Sequence, residues 1–236
     1  VSGVLADPRI ARGMECQTAL RQSRLAAGAK IAGWKVGFGA PAAQEKLRLT
    51  KPLVGFLLDT ALLPNDAQVS LRGWQKPAAE PEIAVYLVRE VAAGADDQTA
   101  RAAIGALGPA IELADVDCPV DDVEAVLACD IFQRHVVLGP RDATRAGARL
   151  AGLTGRVVRS GNDIAVPPDL ESNTGRIVDI VRHVADMAAA CGESLRAGQF
   201  IIAGSVTPPL SLDASDSALT FALEPIGKVS IRLTHK

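Results

Sequence analysis

The sequence predicts an α+β fold in which strands are in the majority and helices interrupt them irregularly. Three observations carry that prediction. Residues 8–28 alternate apolar and basic groups at helical spacing and stop at Gly28. From Ile31 onward the pattern changes to short apolar runs punctuated by Gly, Pro and Asp, as in strands joined by loops. Strand and helix patterns never alternate regularly, which excludes a doubly wound parallel sheet. With 236 residues, 48% of them hydrophobic, the chain can bury a substantial core, divided as a helical segment over 1–30 and a main domain over 31–236.

In chain order, the apolar runs 31–38, 53–58, 82–88, 109–114 and 135–138 are expected as strands. Residues 97–107 and 120–128 open on aspartates and space their apolar residues three to four apart, so each is expected as a short helix. A hairpin is predicted over 155–166, turning at Ser160-Gly161-Asn162-Asp163. The clearest helix runs from about Gly175 to Cys191: Ile177, Ile180, Val181, Val184, Met187, Ala188 and Cys191 form one apolar stripe and Gly192 stops it. Three last runs, 199–204, 217–223 and 227–233, close the chain as strands.

Composition excludes several function classes. The 25 basic and 27 acidic residues are spread evenly, giving a net charge of -2 and no basic stripe to follow a phosphate backbone, so nucleic acid is not an expected partner. No apolar stretch is long enough to cross a bilayer, and no charged-apolar-small leader precedes the first amphipathic segment. Cys16, Cys118, Cys129 and Cys191 lie far apart without a CxxC pair, so neither a disulfide framework nor a zinc knuckle is expected, and a cytoplasmic location suits them.

Chemistry is concentrated in charged residues set where apolar ones belong. In Lys76-Pro77-Ala78-Ala79-Glu80-Pro81-Glu82-Ile83, two glutamates precede an apolar strand. Residues i and i+2 of a strand point to one side, so the two carboxylates would sit with Cβ atoms roughly 6 to 7 Å apart and call for a cation. Pro81 between them lacks a ladder donor and marks a strand end, an edge or a bulge. Taken alone this spacing favours a solvated strand edge, with Glu112 paired to a lysine. Glu112, however, lies within Pro109-Ala110-Ile111-Glu112-Leu113-Ala114, where a carboxylate is rarely buried unless paired or coordinated. An all-oxygen donor set without nearby His or Cys selects magnesium, manganese or calcium over zinc.

Lys35 interrupts the apolar strand Ile31–Phe38, where desolvation lowers a lysine pKa unless carboxylates supply countercharge, and this makes it a candidate acid–base group. Packing of its stem against Trp34 or Phe38 is the competing explanation. Asp59 closes the run Val54–Leu58 as a turn cap or as a charge partner of Lys35. Gly204-Ser205-Val206-Thr207 offers two hydroxyls and several amides at a strand exit, able to hold a carboxylate or to be an ordinary loop. His183 and His235 are expected at the surface, and His135 in a structural role.

The ordered set GWKVG, VGFLLD, KPAAEPEIA, AIELAD, VVLG and AGQFIIAGS, spanning residues 31 to 233, resembles the 2-keto-4-pentenoate hydratase group of the fumarylacetoacetate hydrolase superfamily. That resemblance implies strongly curved mixed sheets behind a helical N-terminal segment, assembled as a homo-oligomer. It implies Glu80, Glu82 and Glu112 as ligands of magnesium or manganese, Lys35 as the active-site lysine with Asp59 close to it, and Ser205 at the substrate carboxylate, with the second hydroxyl of the turn, Thr207, as a further substrate-binding candidate. Two places depart from the family pattern: Ala78 stands where many relatives carry a basic residue, and the loop 129–134 matches neither the hydratase nor the hydrolase form.

The implied function is a hydratase, a lyase adding water to a 2-hydroxy-2,4-dienoate or 2-oxo-4-enoate in aromatic-compound catabolism, with a small 2-oxo acid as its partner. Decarboxylation of a 2-oxo-hexenedioate or hydrolytic C–C cleavage of an acylpyruvate are alternatives on the same site. A metal-binding but non-catalytic paralogue is the alternative of another class.

Overall fold

A computed structural model describes residues 3–235. In chain order its elements are α1 (Pro8–Ala26), β1 (Ile31–Gly37), α2 (Pro41–Leu47), β2 (Leu53–Leu58), β3 (Leu62–Leu63), β4 (Ala67–Ser70), β5 (Pro77–Leu87), α3 (Asp97–Ala103), β6 (Ile104–Asp115), α4 (Val123–Ala128), β7 (Gln133–Leu138), β8 (Thr154–Arg159), β9 (Asn162–Ile164), α5 (Ile177–Ala190), β10 (Phe200–Ser205), β11 (Leu210–Ser211), β12 (Ala218–Glu224) and β13 (Gly227–Thr234). The α+β class is as the sequence predicts.

The strands form two mixed sheets. The larger runs β2-β1-β10-β5-β6-β7-β3, with β11 added on β5, and the smaller runs β4-β13-β12-β8-β9. β1 with β10, β3 with β7 and β4 with β13 are parallel; the other pairs are antiparallel. Strands β12 and β13 lie against β6 and β7, joining the two sheets.

Alternation along β1 explains why the large sheet can serve both core and site. Trp34 and Val36 point into the main core, whereas Gly33, Lys35 and Gly37 share the opposite face. Register extends that second face across Gly55, Ile202, Ala84, Glu82 and Ala110. Gly55, Ala84 and Ala110 are small and leave room for functional side chains there, while Ile202 packs with Leu57, Val136 and Phe200 as a second apolar cluster.

Helix α1 begins at Asp7, whose carboxylate accepts from the Arg9 amide, and stops before Gly28 at φ 100°. Its buried face docks on α4 and β2: Gln17 Nε2 donates to the carbonyls of Val54 (3.2 Å) and Leu127 (3.1 Å). At Gly13 an added Cβ would lie 2.7 Å from Leu127 Cβ, so the close approach requires glycine.

Three expectations need correction. The helix expected over 97–107 ends at Ala103, because residues from Ile104 on pair with β5 and a strand ladder overrides the local helical pattern. The strands expected at 82–88 and 109–114 are each longer, covering 77–87 and 104–115. His183 is buried, not at the surface: its Nε2 meets the Pro52 carbonyl at 2.9 Å, and burial lowers its pKa. The two cysteines Cys118 and Cys129, distant in sequence, bring their sulfurs to 3.2 Å as free thiols.

Candidate active site

Lys35 is 2% exposed at the centre of β1. Its ammonium donates to Glu112 Oε1 and to the Ile131 carbonyl (3.0 Å). Burial alone would lower its pKa, but Glu112, Glu80 and Asp130 outweigh that effect and raise it, so the lysine is held as an ammonium. Packing against Trp34 is excluded, since Trp34 points to the other face and donates from Nε1 to Gln199 Oε1.

The three glutamates arise from one register. Glu80 and Glu112 face each other directly across β5 and β6, and Glu82 lies two residues on, opposite Ala110. Pro81 sits inside the sheet, not at its edge: β5 pairs with β6 without interruption there, while on the β10 side the register shifts between Ile202 and Ser205. Of the three positions expected for this proline, the irregularity in the ladder is the one found. Gly204, at φ 89°, turns its amide out of the ladder to donate to Glu82 Oε2 at 2.6 Å.

Glu82 and Glu112 are fully buried. Burial, followed by the charges of its neighbours, pushes Glu82 well above its ordinary value and Glu80 to about 7. Glu112 is raised by burial, with Lys35 opposing. Among the described residues, Glu82 Oε1 and Glu112 Oε2 have no hydrogen-bond partner. Orphaned buried carboxylate oxygens on one sheet face fit a hard divalent cation in kind. The three do not all converge within 4.8 Å, because Glu112 is turned onto Lys35 and Glu82 onto the Gly204 amide.

The implied Asp59 partner is not found beside Lys35. Asp59 is exposed in a single 3-10 turn after β2, and its Oδ1 accepts from the Lys30 amide (2.9 Å), so it ties the end of β2 to the segment entering β1 and neither caps its own turn nor meets Lys35. Lys35 pairs instead with Gly55, near the other end of β2. The carboxylate that does flank Lys35 is Asp130, 1% exposed, with Oδ1 accepting from the Phe56 amide at 2.9 Å and Oδ2 unpartnered. Burial pushes Asp130 up to about 8, with Lys35 opposing.

Asp130 reaches this position through an unusual backbone. Asp130, Ile131 and Phe132 take successive φ values of 58°, 52° and 62°, a left-handed turn of three non-glycine residues. Such conformations cost roughly 1–2 kcal/mol per residue and persist only where the surroundings over-determine them. This turn aims the Asp130 carboxylate and the Ile131 carbonyl at the same lysine. The available sequence signal was the departure of residues 129–134 from the family pattern, combined with an aspartate in an apolar context.

A cavity of about 270 Å³ opens beside Lys35 and Glu80. Ser205 is on its wall, and Asn173 Nδ2 fixes the adjoining segment by donating to the Ser205 carbonyl (2.7 Å). Thr207 is off that wall: it is fully buried and its hydroxyl donates to the Pro208 carbonyl. A larger cavity of about 720 Å³ lies between the N-terminal segment and α5, away from the lysine–carboxylate cluster. His135 packs against Trp74 with ring centroids 6.1 Å apart and does not reach the 270 Å³ cavity, in keeping with a structural role.

No family model matches the chain. It is 28% identical over 224 residues to the 2-hydroxyhexa-2,4-dienoate hydratase of Comamonas testosteroni, covering 90% of this chain and 81% of that protein. It is 26% identical over 219 residues to the 2-keto-4-pentenoate hydratase of Paraburkholderia phymatum, covering 87% and 79%. Among solved structures, the 4-oxalocrotonate decarboxylase from Pseudomonas putida G7, complexed with calcium and acetate or with magnesium and adipate, superposes with a TM-score of 0.86 at 24% identity, covering 95% and 86%.

The fold is sheet-dominated with a curled main sheet, and it is shared with that decarboxylase over most of both chains. The curated relatives of this chain include 2-keto-4-pentenoate and 2-hydroxyhexa-2,4-dienoate hydratases, in keeping with the resemblance carried by the ordered motifs, together with 4-oxalocrotonate decarboxylases.

Proposed function

We propose that this protein is a divalent-metal-dependent hydratase, a lyase that adds water to a short 2-hydroxy-2,4-dienoate or its 2-oxo-4-enoate tautomer in aromatic-compound catabolism. The observation that carries the proposal is an ammonium, Lys35, buried among Glu80, Glu112 and Asp130 beside a cavity of substrate size. Magnesium or manganese is the cation in this proposal, with Glu80, Glu82 and Glu112 as its ligands. When bound, it would act as a Lewis acid that favours negative charge on the substrate's 2-oxygen.

Lys35 Nζ has the proton inventory for the acid–base steps. It donates a proton to the terminal carbon of the dienol, and the proton of the 2-hydroxyl leaves in exchange, giving the conjugated 2-oxo acid. Water then adds across the conjugated double bond, hydroxyl to the carbon distant from the ketone and a proton to the nearer one. Asp130, raised to about 8, is placed to exchange protons with Lys35, the role expected of Asp59. Ser205 is assigned to the substrate carboxylate. Thr207 is not assigned a contact, because its hydroxyl is engaged with Pro208.

Hydrolytic C–C cleavage normally uses a base to activate water against a carbonyl, and no histidine lines the cavity among the described residues. The same proposal makes the protein a cytoplasmic homo-oligomer. Lys35→Ala is the test: turnover should fall by about 10³-fold while calorimetric titration still shows magnesium bound. Unchanged turnover would remove Lys35 from the mechanism.

A further inference from the structure

The loop after β6 and the left-handed turn before β7 are laced together by contacts of three kinds. The Asp115 amide donates to the Phe132 carbonyl at 3.0 Å, Asp117 holds Arg134 at 2.5 Å, and the sulfurs of Cys118 and Cys129 meet at 3.2 Å. Cys129 closes α4 and is bonded directly to Asp130, the carboxylate that flanks Lys35; Cys118 stands eleven residues earlier, in the bend before that helix. Both thiols are half-buried, and residues 119–122 beside Cys118 are exposed, so a small reagent can reach the pair. A metal ion is the poorer occupant: Asp117 is the third donor within 4.8 Å of the two sulfurs, but Arg134 already takes its carboxylate.

We propose that Cys118 and Cys129 are a redox modification site, where an oxidant of the peroxide class forms a reversible disulfide that braces the turn carrying Asp130 and Ile131. Sulfurs in a disulfide stand about 2.05 Å apart, so these two approach by about 1 Å, which rotation about the two Cα–Cβ bonds supplies. Burial, then the Cys129 sulfur and the carboxylates of Asp117 and Asp122, push the Cys118 thiol up to about 12, so Cys118 keeps its proton and Cys129 meets the oxidant. The Cys129 sulfur gives up its proton and breaks the O–O bond of the peroxide, becoming a sulfenic acid as one water leaves. The Cys118 sulfur then attacks the Cys129 sulfur. The S–S bond forms as the S–O bond breaks, and the hydroxyl leaves as a second water with the Cys118 proton. Two thiols thus lose two electrons to one peroxide. The new bond closes a loop around α4 and opposes the opening of a turn whose three left-handed residues are each costly.

The full chain is treated with hydrogen peroxide and mapped by mass spectrometry, with and without dithiothreitol. Peptides joined through Cys118 and Cys129 should appear. The melting temperature should rise by about 6 °C, and hydrogen exchange at the Ile131 and Gln133 amides should slow by about tenfold. Dithiothreitol should reverse both. Cys118→Ser and Cys129→Ser should each lose the response, and Cys16→Ser should keep it. Absence of the cross-link, or a cross-link that lowers the melting temperature or leaves exchange at Ile131 unaltered, overturns the proposal. None of these readouts uses turnover, so the result stands apart from the hydratase reading.

Discussion

Lys35 keeps its proton where burial would remove it, while Glu80 and Asp130 are pushed toward the protonated form for the converse reason: one cation cannot neutralise four acids, three of them buried and Glu80 half-buried. This has a measurable pH dependence. Asp130 is raised from 3.8 to about 8 and Glu80 from 4.5 to about 7, so the folded chain retains protons that the unfolded chain has released. For an acid whose folded pKa is raised, stability falls as pH rises between the unfolded and the folded values. Melting in EDTA should therefore decline from about pH 5 to about pH 8, and Asp130→Asn should remove the upper part of that decline. Carboxylates held low by arginines, such as Asp97 and Asp216, act in the opposite sense and only at more acidic pH. A melting temperature that is flat over this range would show that the buried acids are not protonated. The glutamates and the lysine were legible in the sequence because each interrupts an apolar strand. Asp130 was not, because its burial depends on a backbone conformation that composition does not signal.

The element that does most for the lysine is the pair β1–β2. Gly55 stands opposite Lys35, and a Cβ there would come 2.7 Å from Asp130 Oδ1 and 2.9 Å from Lys35 Cγ. Gly55→Ala should fold, since flexible side-chain atoms can yield, yet displace both groups and lower kcat by about 10- to 100-fold. Loss of less than twofold would show that their placement tolerates movement. Periodicity found most elements because hydrophobic alternation is a local property. It failed where pairing decides: residues 104–107 read as the end of a helix but are held as strand by Leu87, Tyr86 and Val85 of β5. Asp59 shows the same limit, because an aspartate ending a strand looks alike whether it ties that end to a neighbouring segment or reaches a lysine, and only register separates the two.

For the molecule as a whole, the site is a region where folding and ligand binding oppose each other. Buried carboxylates without a counter-ion destabilise the fold, and a cation binding only the folded state stabilises it by about 2.7 kcal/mol at a free concentration 100 times its Kd. Chelation should therefore lower the melting temperature, and magnesium or manganese should restore it. Glu82→Gln should leave the metal-free protein at least as stable while abolishing the increase on metal addition, followed by calorimetry and metal analysis. Stoichiometric metal retained in that variant would remove Glu82 from the ligand set. The α+β class and the motif order were readable from the chain, whereas the splitting into two sheets was not, because short strands such as β3, β4 and β11 are defined by their partners and not by their own composition.

Pro81 gives this arrangement one more consequence. A proline in an interior strand cannot donate toward β10, yet its carbonyl accepts the Val206 amide at 2.8 Å, so the strands stay joined at Pro81 and the seam in the large sheet is confined to the stretch between Ile202 and Ser205. Glu82 takes the amide that the seam releases. The Gly204 amide should exchange with deuterium faster in Glu82→Ala than in the unaltered protein, while those of Ile201 and Ile202 in the same strand keep their rates. Pro81→Ala would supply the missing donor and let the strands zip together, trading the opening for a more regular and less useful sheet.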